Sequence, residues 1–273
     1  MSLFVASLNS GSNGNCYYVG NDQEAVLIDA GISCRETEVR MKRLGLSLSK
    51  VKAIFISHEH ADHINGVSTL SKKYQLPVYI TADTKRQGRV NIKEHLDFSF
   101  RPYEAITIGG LTVTAIPKLH DAIDPHSFMV SNESVTVGVF TDIGFPCEHV
   151  IAQFQLCHAA FLESNYDEYL LETGHYPIQL KNRIRGGKGH LSNKQAVELF
   201  VTHRPPFMSH LILAHLSAEN NSQKMVKELF EEAADNTKII IATRSKETPI
   251  FHIRSSTTKR VAAIGTHSQL SLF

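Results

Sequence analysis

Residues 57–63, with the sequence SHEHADH, hold a dense group of side chains that could bind metal ions. Two histidines stand two residues apart, so both can point the same way from an extended turn. An aspartate and a third histidine follow at the start of a predicted helix and face a different position. This spacing favours two adjacent metal ions over one. The four candidate ligands are His58, His60, Asp62 and His63.

Three more candidate ligands stand just beyond predicted apolar strands, at the strand ends where α/β proteins hold their ligands. They are His120, Asp142 and His215. The carboxylate of Asp142 could bridge two metal ions about 3.5–4 Å apart. His126 is an alternative to His120, although it begins a predicted strand instead of ending one.

Imidazole and carboxylate ligands together favour zinc, manganese or iron. We therefore expect two divalent metal ions, Zn²⁺ or Mn²⁺, and the sequence does not decide between them. The alternative is a solvated, histidine-rich turn without a metal.

The composition is that of an ordinary globular protein, with 273 residues, 42% hydrophobic and 20% charged. A net charge of +1 argues against binding nucleic acid through bulk charge, but leaves a local basic groove possible. The four cysteines form no CxxC pair, and we find neither a signal peptide nor an apolar run of about 18 residues. We therefore expect a cytoplasmic protein that does not enter a membrane.

Apolar patterning predicts two groups of strands with helices between them, which indicates one layered α/β domain over residues 1–254. A tail would cover residues 255–273. The predicted strands cover 3–8, 16–19, 25–28, 53–56, 78–80, 106–108, 111–116, 128–130, 135–140, 159–162, 211–213, 239–242 and 249–253. The predicted helices cover 33–44, 64–74, 193–202 and 222–234.

The order HxHxDH, lone His, lone Asp and last His resembles the metallo-β-lactamase superfamily. Asp29, which ends the predicted strand 25–28, matches the aspartate of that superfamily's first motif. The resemblance implies an αββα four-layer sandwich, two mixed β-sheets flanked by helices. It also implies that Asp142 bridges two ions and that Asp29 orients ligand histidines. The first ion would be held by His58, His60 and His120, and the second by Asp62, His63 and His215.

Several further segments resemble the YycJ family, whose members are also called WalJ or VicX. These segments are SGSNGN at 10–15, HDA at 120–122 with DP at 124–125, ESNYD at 163–167, RI at 183–184, GHLSN at 189–193, and HLS at 215–217 with NN at 220–221. Position 126 is His where a small or apolar residue is expected, and position 166 is Tyr where His is common. The resemblance implies a 5′→3′ exonuclease acting on double-stranded DNA.

Residues 181–190 could bind phosphate, because four basic residues and three glycines stand beside His190. A helix predicted to start next to this segment offers a further anion-binding terminus. The candidate phosphate contacts are Arg183, Arg185, Lys188, Ser192 and Asn193. For catalysis, Asp62 would orient the attacking water or take its proton, and His190 would stabilise charge or protonate the leaving oxygen. The alternative is a flexible basic loop.

The last five residues resemble the short peptide by which bacterial polymerases and repair proteins bind the sliding clamp. They are Gln269, Leu270, Ser271, Leu272 and Phe273. A glutamine anchor and two apolar side chains would fill a pocket on the clamp, which would place the protein in DNA repair. The alternative is a tail that packs on its own domain.

Two other functions compete with a nuclease. One is a small-molecule hydrolase acting on a thioester, a lactone or a cyclic phosphodiester, and the other is a metal-stabilised binding module without activity. A basic groove would favour DNA or RNA, whereas a closed apolar pocket would favour a small ligand. The sequence leaves the choice between DNA and RNA, and the oligomeric state, open.

Overall fold

The computed structural model describes residues 2–255, in which strands and helices alternate along most of the chain. The strands are β1 (Leu3–Asn9), β2 (Cys16–Gly20), β3 (Ala25–Ile28), β4 (Val51–Phe55), β5 (Val78–Tyr79), β6 (Asp97–Phe98), β7 (Ala105–Ile108), β8 (Leu111–Pro117), β9 (His126–Ser131), β10 (Thr136–Phe140), β11 (Ala159–Glu163), β12 (His210–Ala214), β13 (Lys238–Ile241) and β14 (Phe251–Ile253). The helices are α1 (Cys34–Arg43), α2 (Ala61–Ile64), α3 (Val67–Tyr74), α4 (Ala82–Gly88), α5 (Glu148–Phe154), α6 (Glu168–Thr173), α7 (Ile178–Arg185), α8 (Asn193–His203) and α9 (Gln223–Glu231).

The strands form two mixed sheets. The first has the order β14-β1-β2-β3-β4-β5-β6, and the second has the order β13-β12-β11-β10-β9-β8-β7. Within the first sheet, β3 to β6 run parallel and the other pairs are antiparallel. Within the second, β10 to β13 run parallel and the other pairs are antiparallel.

Alternation of side chains along each strand builds three apolar layers. In β3, Val26 and Ile28 face the core between the two sheets, whereas Leu27 faces the core under α1 and α3. In β11, Phe161 faces the core between the sheets, whereas Leu162 faces the core under α5, α8 and α9. This arrangement confirms the predicted αββα sandwich.

The main strands lie where the sequence predicted them, but the structure has more helices than the sequence predicted. The predicted helix 64–74 is two helices, α2 and α3, separated at Gly66, where a Cβ atom would lie 2.0 Å from the carbonyl oxygen of Ile32. Four short helices, α4 to α7, were not predicted, and α7 occupies part of the candidate phosphate-binding segment 181–190, for which a flexible basic loop was the alternative. None of the helices in residues 2–255 is long and apolar enough to cross a membrane. The clamp-like peptide 269–273 lies outside the described residues, and the domain boundary at residue 254 stays a prediction.

The loops at one edge of the sandwich are tied to each other through their backbones. The amide of Asn15 donates to the carbonyl of Asp62 at 2.7 Å, and the amide of Gly31 donates to the carbonyl of Asn15 at 2.8 Å. Gly31 packs so closely that a Cβ atom there would lie 1.6 Å from the carbonyl oxygen of Asp62. The loops after β1, β3 and β4 are therefore held in one fixed arrangement.

We expect Gly31→Ala to destabilise the protein, because the added methyl group would overlap backbone atoms that cannot move independently. Overpacking of this kind costs about 3 kcal/mol, which corresponds to a Tm lower by about 10 °C for a chain of this size. Thermal unfolding followed by circular dichroism measures the change. Gly187→Ala is the matched control, because a Cβ atom at Gly187 meets nothing within 4 Å. Equal Tm values for the two variants would contradict the prediction.

Candidate metal centre

Three imidazole nitrogens converge at the ends of β4 and β8. The Nε2 atom of His58 lies 3.1 Å from Nδ1 of His60, and the Nε2 atom of His120 lies 3.3 Å from the same Nδ1. The ligating atoms of all three residues lie within 4.8 Å of one another. This first cluster has the spacing of a three-histidine metal site.

A second cluster lies beside the first. The Oδ2 atom of Asp62 lies 3.5 Å from Nε2 of His63 and 3.5 Å from Nε2 of His215. The Oδ2 atom of Asp142 lies 3.2 Å from Nε2 of His63. Asp142 also groups with His58 of the first cluster, so its carboxylate stands between the two clusters.

Four of these histidines are held through Nδ1, which leaves Nε2 directed into the centre. Nδ1 of His63 donates to Asp29 at 2.7 Å, and Nδ1 of His120 donates to the carbonyl of Gly189 at 2.9 Å. Nδ1 of His215 donates to Glu163 at 3.0 Å. Nδ1 of His58 lies 2.9 Å from the hydroxyl of Ser57, whose own proton is donated to Asp29. Such partners fix the ring orientation and the tautomer that binds a metal.

Asp29 is completely buried and holds the loop that carries the HxHxDH motif. Its Oδ1 atom accepts from the amide of Ser57 and its Oδ2 atom accepts from the Ser57 hydroxyl, each at 2.8 Å. The same Oδ2 atom accepts from His63. Asp29 therefore lies where the sequence placed it, behind the candidate ligands.

Three residues of the centre have left-handed backbone conformations. The φ angles are 60° for Asp29, 54° for Asp142 and 55° for His215. This region is uncommon for residues other than glycine, and it is found more often for Asp, Asn and His than for most others. Asp29 and His215 directly follow a strand, and Asp142 lies two residues after the end of β10, so each turn points its side chain back towards the centre.

Burial and the nearby carboxylates have opposite effects on the pKa values of the histidines in the centre. Burial holds the pKa of His58 well below its usual value and lowers the pKa of His120 to about 4. Burial also acts to lower the pKa of His63 and His215, but the nearby carboxylates, with Asp142 foremost, outweigh it. They raise the pKa of His215 to about 10 and that of His63 well above its usual value. The second cluster therefore attracts positive charge, whereas the first keeps its imidazoles neutral.

The residues fit a bound cation. Two buried atoms of the centre, Oδ2 of Asp142 and Nε2 of His215, make no hydrogen bond within residues 2–255. Leaving buried polar atoms without partners costs free energy, and a divalent ion would satisfy both. Imidazole nitrogens and carboxylate oxygens are also a donor set that Zn²⁺ and Mn²⁺ accept.

Comparisons with known proteins agree with this geometry. Residues 24–215 match the family model of the β-lactamase superfamily domain. The chain is 34% identical over 235 residues to the exodeoxyribonuclease YycJ of Bacillus anthracis, and the match covers 83% of this chain and 87% of that protein. The chain belongs to the YycJ/WalJ family of the metallo-β-lactamase superfamily.

A second member of the YycJ/WalJ family gives a similar match. The exodeoxyribonuclease WalJ of Streptococcus pneumoniae serotype 2 is 30% identical over 226 residues, which cover 80% of this chain and 83% of that protein. Among solved structures, the metallo-β-lactamase fold protein YhfI of Bacillus subtilis has a TM-score of 0.69 at 18% identity, over 92% of this chain and 100% of that chain. This last likeness concerns the fold alone.

The structure brings all seven predicted ligands of this YycJ/WalJ family member to one edge of the sandwich. His126, the alternative to His120, instead packs edge-on against Phe100, with ring centroids 5.1 Å apart. His190 also reaches the centre: its ring centroid lies 5.3 Å from that of His120 and 5.2 Å from that of His215. The functional roles of these residues stay predictions.

The predicted phosphate contacts divide into two groups. Lys188 is exposed, and the exposed side chains of Arg183 and Arg185 pair with Asp121 and Glu172.

Ser192 and Asn193 are buried at the start of α8. Ser192 forms a capping box with Gln195, and the side chain of Asn193 bonds to Ser164 and Asn221. Because both side chains are buried, direct contact with a substrate is disfavoured. Their hydrogen bonds indicate instead that they stabilise the start of α8.

Sequence reasoning missed two residues of the centre. Glu163 ends β11, and its Oε1 atom lies 2.8 Å from Nδ1 of His190. Glu163 is a carboxylate at the end of an apolar strand, so the pattern that identified Asp142 could also have identified Glu163.

Asn15 donates from Nδ2 to Oδ2 of Asp62 at 3.1 Å. Asn15 lies in a polar loop, and nothing in the sequence pattern there indicates that it belongs to the centre.

We expect Asp29→Asn to weaken metal binding about 10–100-fold, the usual effect of losing a residue behind metal ligands. Asparagine tolerates the left-handed backbone, but its amide group would face the donors of Ser57 and His63. Competition with a chromophoric chelator measures the affinity without relying on activity. Asp22→Asn, at an exposed turn, is the control. An unchanged affinity for Asp29→Asn would exclude this role.

Proposed function

We propose that this chain is a metal-dependent nuclease that degrades double-stranded DNA from the 5′ end. The observation that carries the proposal is the pair of ligand clusters that meet at Asp142, beside exposed basic residues. Support also comes from the two relatives named exodeoxyribonucleases, which match most of the chain at 34% and 30% identity. A cytoplasmic location, a role in DNA repair and clamp binding through residues 269–273 remain parts of this proposal that rest on the sequence.

The proposed cofactors are two divalent ions, Zn²⁺ or Mn²⁺. The first would be held by His58, His60 and His120, and the second by Asp62, His63 and His215. Asp142 would bind both. When bound, such ions activate a water molecule and stabilise the charge that develops on the phosphate.

Asp62 would orient the attacking water and accept its proton. Its side chain is 21% exposed, so it borders on solvent while its Oδ2 atom stays in the second cluster. Asn15 fixes its orientation. The Oδ1 atom of Asn15 accepts from the amide of Gly11 and the hydroxyl of Tyr17, both at 3.0 Å, so the amide group of Asn15 must face Asp62.

His190 would supply a proton to the oxygen that leaves. Its Nδ1 atom is held by Glu163, which leaves Nε2 for a substrate. Burial raises the pKa of Glu163, but the neighbouring His190 outweighs this and lowers it to about 2. Glu163 is therefore ionised, and it fixes the His190 ring so that Nε2 is the atom from which an acid catalyst would donate.

The substrate would lie along the basic residues next to His190. We place its phosphates near Lys188 and Arg183, because both are exposed and both stand close in sequence to residues of the centre. Nucleic acid is favoured over a small ligand, since these residues form an open rim. Between nucleic acids, DNA is favoured by the names of the relatives, and RNA is an outcome that the test below distinguishes.

We expect wild-type protein to remove nucleotides stepwise from the 5′ end of duplex DNA, and Asp62→Ala to reduce this activity to background. The test uses end-labelled duplex DNA, single-stranded DNA and RNA, with metal-stripped protein to which Zn²⁺ or Mn²⁺ is added back. Metal content is measured for both proteins, so that lost chemistry is separated from lost metal. Full activity of metal-loaded Asp62→Ala would exclude its catalytic role. Absence of cleavage of every nucleic acid by metal-loaded wild type would favour a small-molecule hydrolase.

We expect His190→Ala to lower kcat on DNA by about 10²–10⁴-fold, the usual contribution of an acid catalyst. Hydrolysis of bis(4-nitrophenyl) phosphate should change much less, because its leaving group departs without a proton. Glu163→Gln should show the same pattern in weaker form. If His190→Ala slowed both substrates equally, a role in proton donation would be refuted.

A further inference from the structure

A polar cavity of about 270 Å³ adjoins the candidate metal centre. It is formed where β1, β12 and β13 end and where α9 begins. Its lining includes the hydroxyl-bearing Ser10, Ser217 and Thr243, the amide of Gln223 and one cation, Arg244. None of its described lining residues is an aspartate or a glutamate. The hydroxyl of Ser10 bonds to that of Tyr17, and the hydroxyl of Thr243 donates to the carbonyl of Lys246. The groups left to bind a ligand are therefore the Ser217 hydroxyl, the Gln223 amide and the Arg244 guanidinium.

Arg244 has no carboxylate partner within residues 2–255, in contrast to Arg183 and Arg185 at the other side of the centre. Its Nη2 atom donates to the carbonyl of Leu216 at 3.1 Å. The turn at Gly11 fits closely around it: the φ angle there is 138°, and a Cβ atom would lie 3.3 Å from the same Nη2 atom. The guanidinium is thus positioned by the backbone while its charge remains available.

The cavity shares a wall with the centre. The Ser10 hydroxyl, which lines the cavity, accepts a hydrogen bond from the amide of His215 at 2.8 Å. Arg244 follows β13, the strand next to β12, and neighbouring strands lie about 5 Å apart. An anion in the cavity would therefore lie beside the centre, along the same edge of the sheet.

We propose that this cavity binds a phosphate group of the nucleic acid strand, separate from the phosphate that is cleaved at the centre. This inference rests on the proposed nuclease function and adds a second anchoring point to it. Arginine, hydroxyl and amide donors without a carboxylate are the groups that bind phosphate oxygens. A phosphate held there fixes which phosphodiester bond of the strand reaches the centre.

We expect Arg244→Gln to weaken binding of duplex DNA about tenfold, as the loss of a charge-assisted contact would. The probe is a duplex labelled with fluorescein at its 3′ end, with either a 5′-phosphate or a 5′-hydroxyl. Fluorescence anisotropy in the presence of EDTA measures its affinity without cleavage. Lys238→Gln is the control, because it removes one positive charge at the start of β13, whereas Arg244 lies beyond the other end of that strand.

Gln223→Glu tests the cavity without removing Arg244. The new carboxylate would repel a phosphate and should weaken DNA binding several-fold. A carboxylate in the first turn of a helix is otherwise favourable, so the Tm should stay equal or rise. A purely structural effect would lower affinity and Tm together.

The two duplexes identify the source of the phosphate. A loss confined to the 5′-phosphorylated duplex assigns the cavity to the terminal phosphate, and an equal loss for both assigns it to an internal phosphate. If both variants bind both duplexes as Lys238→Gln does, the inference is wrong, while cleavage by the wild type still supports the nuclease. If the wild type neither binds nor cleaves DNA, the proposed function and this inference fail together.

Discussion

Buried negative charge at one edge of the sandwich is the constraint on which the rest of the site depends. Asp29, Asp142 and Glu163 are almost completely inaccessible to solvent, and buried charges persist only when they are paired. The carboxylates raise the pKa values of His63 and His215, so that protonation of these rings would meet part of this need when no metal is bound. Lys118 is also buried there; burial lowers its pKa, and its Nζ atom donates to the carbonyl of Thr141 at 2.7 Å. Bound divalent ions would also offset this negative charge, and they could in addition activate a water molecule for hydrolysis.

The ligand set could be predicted from the sequence because it combines residue type with position. Histidine and aspartate within a few residues of the ends of apolar strands are informative, because parallel strands bring such ends to one edge. Asn15 could not be predicted, since its role depends on two donors that fix the direction of its amide group. Helices α4 to α7 were missed because short, largely exposed helices carry little apolar periodicity. Ser192 was predicted to contact phosphate but caps helix α8. Serine is common both at helix N-caps and in anion-binding sites, so the residue type alone does not distinguish the two roles.

The fold alone does not select a substrate. Selection must come from the rims on the two sides of the centre. Along one rim, Lys188 and α7 present basic side chains at the surface. Along the other, Arg244 stands in a recessed polar cavity. A polyanion longer than one nucleotide could contact both rims at once, whereas a small ester or lactone would reach only the centre.

The left-handed turns at Asp29, Asp142 and His215 also limit how this centre can change during evolution. Any residue that replaces one of them must first be able to adopt a positive φ angle, and β-branched residues are the least suited to this conformation. The accessible substitutions are therefore mainly Asn, Asp, His and Gly. A descendant protein that lost the catalytic activity would therefore still carry one of these four residue types at each of the three turns. Its sequence would still show where the metal centre had been.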